Sequence, residues 1–331
     1  MPLVPPKILA CLKPPGGRDD HNLVVRDGGL ACPETGAVYS AEGGILRLFR
    51  EGGREGRGVG ERVRAFYEAH PFPSYEGLEE FGQLVAKGQR NPFSANLLKA
   101  VGHNKLVLEC GCGTGQLSHF LQLNNNHVLG VDASVPSLGL AVEHKSRNGL
   151  QRSCFAEMNV FELAVKDGAF DVVVAHGVLH HTYDARRAFA GIVRKAKPGG
   201  IVMVGLYNRY ARVPQWLRAG VVRLFGPRVD YVVRNRIKDA RKAEIWIRDQ
   251  YFNPHETWHS IGEVLEWFRE NGVTYLNASP PILGTAGEDA PSLFAETDPG
   301  TPYQRLVTQL AWLATIAREG ALFDVVGRRD G

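Results

Sequence analysis

Long apolar runs are missing from this chain of 331 residues: no stretch of 18 or more apolar residues occurs, so no membrane-spanning helix is expected. Residues 1–50 carry prolines, glycines and charges where a secretory leader would need its apolar core, and a cytoplasmic location without membrane contact is the expectation. Cysteine is scarce as well. Five cysteines, an odd number, give no disulfide framework and suit a reducing compartment. Charge bias is slight, with 39 Lys and Arg against 35 Asp and Glu, so overall charge alone makes no case for a nucleic-acid partner. What remains is ordinary: 44% hydrophobic and 22% charged residues, enough for one large folded unit with accessories.

Lys105 to Asp132 is the most informative stretch. Lys105 to Glu109 is a short apolar run of the kind a buried parallel strand requires, and Gly111, Gly113 and Gly115 follow at every second position. With no side chains on that turn, its backbone can approach a ligand, and the N–H groups opening a helix at Gln116 face the same space. A dinucleotide fingerprint G-x-G-x-x-G would place its third glycine at 116, where this chain has Gln116. Glu109 stands two residues before the first glycine, and Asp132 ends the following strand.

The pattern Glu109-x-Gly111-x-Gly113-x-Gly115, with Asp132 beyond it, resembles motif I and the next acidic position of class I S-adenosylmethionine (SAM)-dependent methyltransferases. The resemblance implies a doubly wound α/β fold with a mostly parallel seven-stranded sheet. It also implies roles: the glycine loop and Gln116 lie along the methionine part of SAM, Glu109 holds that end, and Asp132 accepts from the ribose hydroxyls. Family members usually place a carboxylate after the third strand to take the adenine amino group. Asn159 stands there instead, its amide oxygen still able to accept, with Val160 and Phe161 flanking the ring. The run Ala169 to His181 then reads as a buried strand with a polar exit that brings His176, His180 and His181 to the cleft. His176-Gly-Val-Leu-His-His-Thr-Tyr-Asp184 is similar to the fourth-strand exit of small-molecule methyltransferases, those of ubiquinone and menaquinone biosynthesis among them. The Asn/Asp-Pro-Pro-Tyr/Phe run of amino-directed nucleic-acid enzymes and the Pro-Cys nucleophile of pyrimidine C5 enzymes are both absent from it.

Five segments are expected. Residues 1–50 resemble a degenerate zinc ribbon, since Cys11-Leu-Lys-Pro14 and Cys32-Pro-Glu-Thr35 each lack the second cysteine and leave the ligand set incomplete, so no metal is expected. Residues 51–95 read as a glycine-rich linker and lid helices, with Phe66, Tyr67 and Tyr75 as lid residues and Ser94 as a helix cap. Residues 96–206 form the SAM-binding core. Residues 207–253 form a basic helical insertion, with eleven Lys or Arg against four Asp or Glu between 207 and 250, interleaved with Trp216, Phe225, Tyr231 and Trp246. It reads either as an electropositive wall for an anionic substrate or RNA, or as a solvated face over buried aromatics. Residues 254–331 complete the core: a sixth strand at Gly272 to Ser279, a loop from Pro281 to Gly300 with at most a weak strand, and a terminal helix packing through Leu306, Leu310, Leu313 and Ala317.

His255-Glu-Thr-Trp-His259 matches the H-E-x-x-H zinc-hydrolase pattern, though Leu265 stands where a metzincin would carry its third histidine. The expected function is methyl transfer from SAM to an O, N or C atom of a small-molecule acceptor, with His180, His255 and Tyr207 as proton-accepting or acceptor-contacting groups. An RNA methyltransferase, a non-catalytic SAM-binding protein and a zinc hydrolase are the alternatives. Nothing in the sequence fixes the acceptor or the oligomeric state.

Overall fold

The computed structural model describes residues 3–51, 56–284 and 291–331. Part of the expected linker (52–55) and part of the expected loop (285–290) lie outside the described residues. The chain opens with helix α1 (Pro6–Leu9) and strands β1 (Val24–Arg26), β2 (Gly29–Ala31), β3 (Val38–Tyr39), β4 (Ala41–Glu42) and β5 (Ile45–Arg47). Helices α2 (Arg57–Ala69), α3 (Phe81–Arg90) and α4 (Pro92–Val101) follow. The core then alternates β6 (Leu106–Cys110), α5 (Gln116–Leu121), β7 (His127–Asp132), α6 (Val135–Arg147), β8 (Ser153–Glu157), β9 (Phe170–His176), α7 (Ala185–Val193) and β10 (Ala196–Tyr207). Last come α8 (Val213–Phe225), α9 (Tyr231–Asn235), α10 (Ala240–Phe252), α11 (Ile261–Glu270), β11 (Val273–Ser279), α12 (Pro302–Ala311) and β12 (Leu322–Arg329).

One sheet of nine strands runs in the order β11-β12-β10-β9-β6-β7-β8-β5-β4. The five strands from β8 to β10 are parallel, and β12 is antiparallel to both β10 and β11. The chain winds outward from β6 through β7 to β8, then returns to place β9 on the other side of β6. The order therefore reverses between β6 and β9, and the crevice beyond their carboxyl ends is where α/β sheets bind ligands.

Strand side chains alternate between two apolar layers. Leu108, Leu129, Val173 and Val204 pack on one face, while Val107, Val128, Val172, Val174 and Met203 pack on the other. Helix starts are fixed by side-chain caps: Ser134 accepts from the Ser137 N–H, Asp184 from Arg187, Ser260 from Glu263, and Thr301 forms a capping box with Gln304. Each such cap stabilises by ~1 kcal/mol. At α4 the cap is Asn91, not the expected Ser94, whose N–H is instead the donor to Asn91.

Three further expectations are corrected. Seven strands make up the core sheet, but β5 pairs in parallel with β8 (Leu46 opposite Ala156) and, with β4, brings the N-terminal segment into the same sheet. The rest of that segment docks through Lys13 N–H to the Ala164 carbonyl at 3.1 Å, and its thiols donate locally, Cys11 to the Lys7 carbonyl and Cys32 to Glu34. The chain also ends in a strand rather than a helix. Leu322–Arg329 inserts between β10 and β11, supplying the strand sought in the 281–300 loop. Finally, α12 turns Leu306 and Leu310 outward and buries Gln309, which accepts from the Asn208 side chain and the Ile261 N–H; past its end Leu313 is exposed too, and only Ala317 of the four is buried. No described helix is long and apolar enough to cross a membrane.

Candidate active site

Each of the five parallel strands delivers one polar group at or just past its carboxyl end: Glu109, Asp132, Asn159, His176 and Tyr207. All five line a single cavity of about 740 Å³, within the range of small-molecule sites.

The glycine loop forms its floor. Gly111, Gly113 and Gly115 have φ of 69°, 53° and 75°, a region that L side chains rarely adopt. Space is short as well: a Cβ on Gly111 would lie 1.9 Å from Val178, and one on Gly113 would lie 2.3 Å from the Phe72 carbonyl oxygen. The loop is thus clamped by the protein itself, between the β9 exit and residues 72–75. Thr114 donates its N–H to the Phe72 carbonyl (3.2 Å) and its hydroxyl to the Pro73 carbonyl (2.7 Å), and the Gln116 amide donates to the Ser74 carbonyl (2.8 Å). Gln116, expected to serve the ligand, is engaged with this lid and with Lys87, which donates to it at 2.8 Å. Cys110 and Cys112 are buried, and burial pushes both thiols above their ordinary pKa, leaving them protonated and unreactive.

Asp132 tightens the loop from the other side. One carboxylate oxygen accepts from the Gly113 N–H and the other from the Ser134 N–H, both at 2.8 Å, leaving a lone pair on each for a diol. Asn159 donates to the Arg50 carbonyl at 3.2 Å, and its oxygen already accepts from the Phe161 N–H at 3.1 Å. Beside it, Phe161 stacks on Tyr183 with ring centres 4.4 Å apart. The pocket there is flat and aromatic.

Glu109 is buried and accepts the Ser118 hydroxyl; burial outweighs that bond and pushes its pKa up to about 7. His176 stacks on Phe93 at 4.4 Å and meets Asp324 at 2.7 Å. Burial opposes its imidazolium, but the Asp324 carboxylate, aided by Glu109, raises its pKa above the usual value.

The far wall is built from helices. Tyr67 donates to Asp249 (2.8 Å) and accepts from Asn253 (3.0 Å), while Gln250 donates to both Asp249 and the Tyr207 hydroxyl at 3.0 Å. Arg212, 1% exposed, lies 3.7 Å over the Tyr207 ring. It uses all five N–H groups: Nε and one Nη2 N–H on Glu256, the second Nη2 N–H on the Gln250 carbonyl, and both from Nη1, on the Gln250 side chain and the Gly320 carbonyl.

The expected catalytic groups fall in different places. Tyr207 lines the cavity. His180 is fully buried beside it, ring centres 3.9 Å apart, and neither of its nitrogens meets a hydrogen-bond partner among the described residues. His255 sits outside the cavity lining, its ring against the Thr182 carbonyl at 3.1 Å. The neighbour His181 lines the cavity instead, with Nδ1 2.9 Å from the His255 carbonyl. A carbonyl only accepts, so Nδ1 holds the proton and Nε2 keeps its lone pair. Burial lowers the His181 pKa, which keeps the ring neutral. His181 was expected at the cleft but not as a proton acceptor, and Asp249 is what sequence reasoning did not single out. Of the expected lid aromatics only Tyr67 reaches the cavity; Phe66 packs edge-on against Tyr67, and Tyr75 donates to the Thr114 carbonyl and stacks on His144.

The H-E-x-x-H run is not helical. His255 to His259 precedes α11, His259 forms a bridge with Asn208, and its ring lies between Thr257 and Glu263, each at 2.8 Å. Glu256 is held by Arg212 and Trp258. The run has neither the shared helical face nor the free carboxylate that a zinc hydrolase needs, and among the described residues no group of three His, Cys, Asp or Glu is placed to hold a metal ion.

Residues 108–204 match a family described as "Methyltransferase domain". The chain is 27% identical to an uncharacterized protein of Synechococcus sp., over 67% of this chain and 60% of that protein. It is 32% identical to a ubiquinone biosynthesis O-methyltransferase of Cronobacter sakazakii, over 48% of this chain and 64% of the relative. Among solved structures, Haemonchus contortus phosphoethanolamine N-methyltransferase 2 in complex with S-adenosyl-L-methionine aligns with a TM-score of 0.46 and 15% identity, covering 81% of this chain and 60% of that one. The chain thus spans about three fifths of the length of the curated relatives it matches. Strand order, glycine loop and carboxylates agree with that match: residues 108–204 are similar to a methyltransferase domain.

Proposed function

We propose that the protein binds SAM along the glycine loop, Asp132 and the Asn159 to Phe161 turn, and transfers its methyl group to an O, N or C atom of a small-molecule acceptor in the cytoplasm. The observation that carries this reading is the continuity of the cavity, from Asp132 past His176 to the Tyr67, His181, Tyr207 and Asp249 wall. The residues fit an adenosyl ligand: stacked aromatic rings at Phe161 and Tyr183, and a carboxylate with lone pairs for a ribose diol. When bound, SAM would supply an electrophilic methyl group on its sulfonium, the new acceptor–methyl bond forming in line as the methyl–sulfur bond breaks and S-adenosylhomocysteine leaves.

Positioning does most of the work in such a displacement. The Arg212 cluster holds the Tyr207 ring, and the Tyr67–Asp249–Gln250 chain fixes the hydroxyls that would orient an acceptor. For a hydroxyl or carbon acid, His181 Nε2 is the base we assign, since it keeps its lone pair, the residue lines the cavity, and its ring is held by the His255 carbonyl. An amine that is already neutral needs no base.

The test is calorimetric titration with SAM, S-adenosylhomocysteine and NAD, for the wild type and Asp132→Ala. Micromolar binding of both adenosyl ligands, weakened about tenfold or more in the variant and absent for NAD, supports the reading. Absence of adenosyl binding overturns it. Binding without methyl loss across a panel of phenol, amine and carbon-acid acceptors would favour a non-catalytic SAM-binding protein.

A further inference from the structure

Helix α8 is amphipathic in the reverse of the usual sense. Its buried side carries Gln215 and Val222, the latter packed with Val233, Ala243 and Ile247. The outer side carries Val213, Trp216, Leu217, Val221, Leu224 and Phe225, a spacing that forms one stripe along the helix. Trp216, Leu217, Leu224 and Phe225 are 70%, 61%, 80% and 73% exposed, an apolar strip far beyond the scattered residues any surface shows. The segment around it is rich in cations, of which Arg209, Arg212 and Arg236 are paired with Glu263, Glu256 and Glu319. From Asn208 to Lys238 there are eight Lys or Arg and a single carboxylate, Asp230, which is 1% exposed and binds Tyr251 and Trp246. Arg223 and Arg228 are exposed at the end of the strip.

We propose that this face seats α8 in the headgroup region of an anionic lipid bilayer. An apolar stripe with an aromatic anchor, flanked by cations, is how a helix lies in a membrane interface, and it requires no spanning segment. A second copy of the chain would bring the same cations against themselves. RNA would use the arginines but gain nothing from Leu217, Val221 and Leu224. Docking has a consequence for the cavity, because α8 is tied through Gln215 and Tyr251 (3.1 Å) to α10, whose Trp246, Asp249 and Gln250 line it. The cavity wall would stand at the lipid–water boundary, where amphipathic acceptors collect. The membrane contact itself does not depend on the methyltransferase reading.

The experiment is co-sedimentation of the full chain with phosphatidylcholine vesicles, with and without phosphatidylglycerol, at low and high salt. Wild type should pellet with phosphatidylglycerol vesicles at low salt and much less with phosphatidylcholine alone. Leu224→Glu/Phe225→Glu and Arg223→Glu/Arg228→Glu should each weaken this by about tenfold or more, with unchanged thermal melts and SAM binding. Several outcomes overturn the proposal: no binding to anionic vesicles, binding undiminished in the apolar double variant, or a dimer by sedimentation equilibrium that Leu224→Glu dissolves. Retention on bulk tRNA without vesicle binding also overturns it, and assigns the face to nucleic acid.

Discussion

His176 and Asp324 meet across Gly205. The three residues sit side by side on β9, β12 and β10, and a Cβ at Gly205 would lie 2.4 Å from the Asp324 carboxylate and 2.9 Å from His176 Nδ1. The glycine leaves room for a charge pair at the cavity floor, and Asp324 raises the His176 pKa. A histidine whose folded pKa is raised adds stability below its unfolded pKa and loses it as pH rises through the folded value. Asp324→Asn should therefore cost about 1–3 kcal/mol at pH 6 and less at pH 9. Urea unfolding at the two pH values measures it; equal losses would contradict the pairing.

Glu109 moves stability in the same direction for a different reason. Burial raises its pKa to about 7, so the folded chain prefers the protonated acid, and stability falls as pH climbs from the unfolded value toward 7. Glu109→Gln should remove this slope. The gap between variant and wild type should grow in favour of the variant by about 3 kcal/mol between pH 4 and pH 8, as an order of magnitude. Parallel curves would show that Glu109 is not the titrating group.

Arg212, buried, and Glu256, partly buried, are the ion pair on which the acceptor wall rests. Removing one partner leaves the other charge without compensation, and Glu256→Gln should destabilise by roughly 3 kcal/mol. The same change should lower turnover by disturbing Tyr207 while leaving SAM affinity within about twofold, since Asp132 and the glycine loop are untouched. Thermal melts and calorimetry read the two effects separately.

The paired histidines should behave oppositely. His180 has two unpartnered nitrogens in an apolar setting, and His180→Leu should change stability by less than about 1 kcal/mol or raise it. His181→Ala should lower kcat about a hundredfold for hydroxyl acceptors, with rescue by added imidazole, while amine acceptors are affected far less. Equal sensitivity of both acceptor classes would remove His181 from proton transfer.

The half of the site that binds cofactor was legible because its constraints are local. Strand, loop and helix follow one another from Lys105 to Gln116, and the glycines carry a backbone requirement that sequence displays directly. The acceptor half was not. Asp249 and Asn253 reach Tyr67 across more than 180 positions, and no periodicity announces such a meeting. At 180 and 181 the choice between adjacent histidines depended on which way each ring turned. The last strand could have been found: Phe323-Asp-Val-Val326 repeats Phe170-Asp-Val-Val173 of β9, an apolar run bounded by polar residues. Its distance from β11 in sequence disguised it.

The two short N-terminal strands also settle what kind of border the great sheet presents to its surroundings. Without them β8, whose five residues are all buried, would end the ladder as an apolar strand with open N–H and C=O groups, a template for pairing with another chain. With them the last strand is Ala41–Glu42, two residues long, too short to template much and marked by an acid. Chains that lose the first fifty residues would become prone to sheet-to-sheet aggregation even with every cavity residue in place.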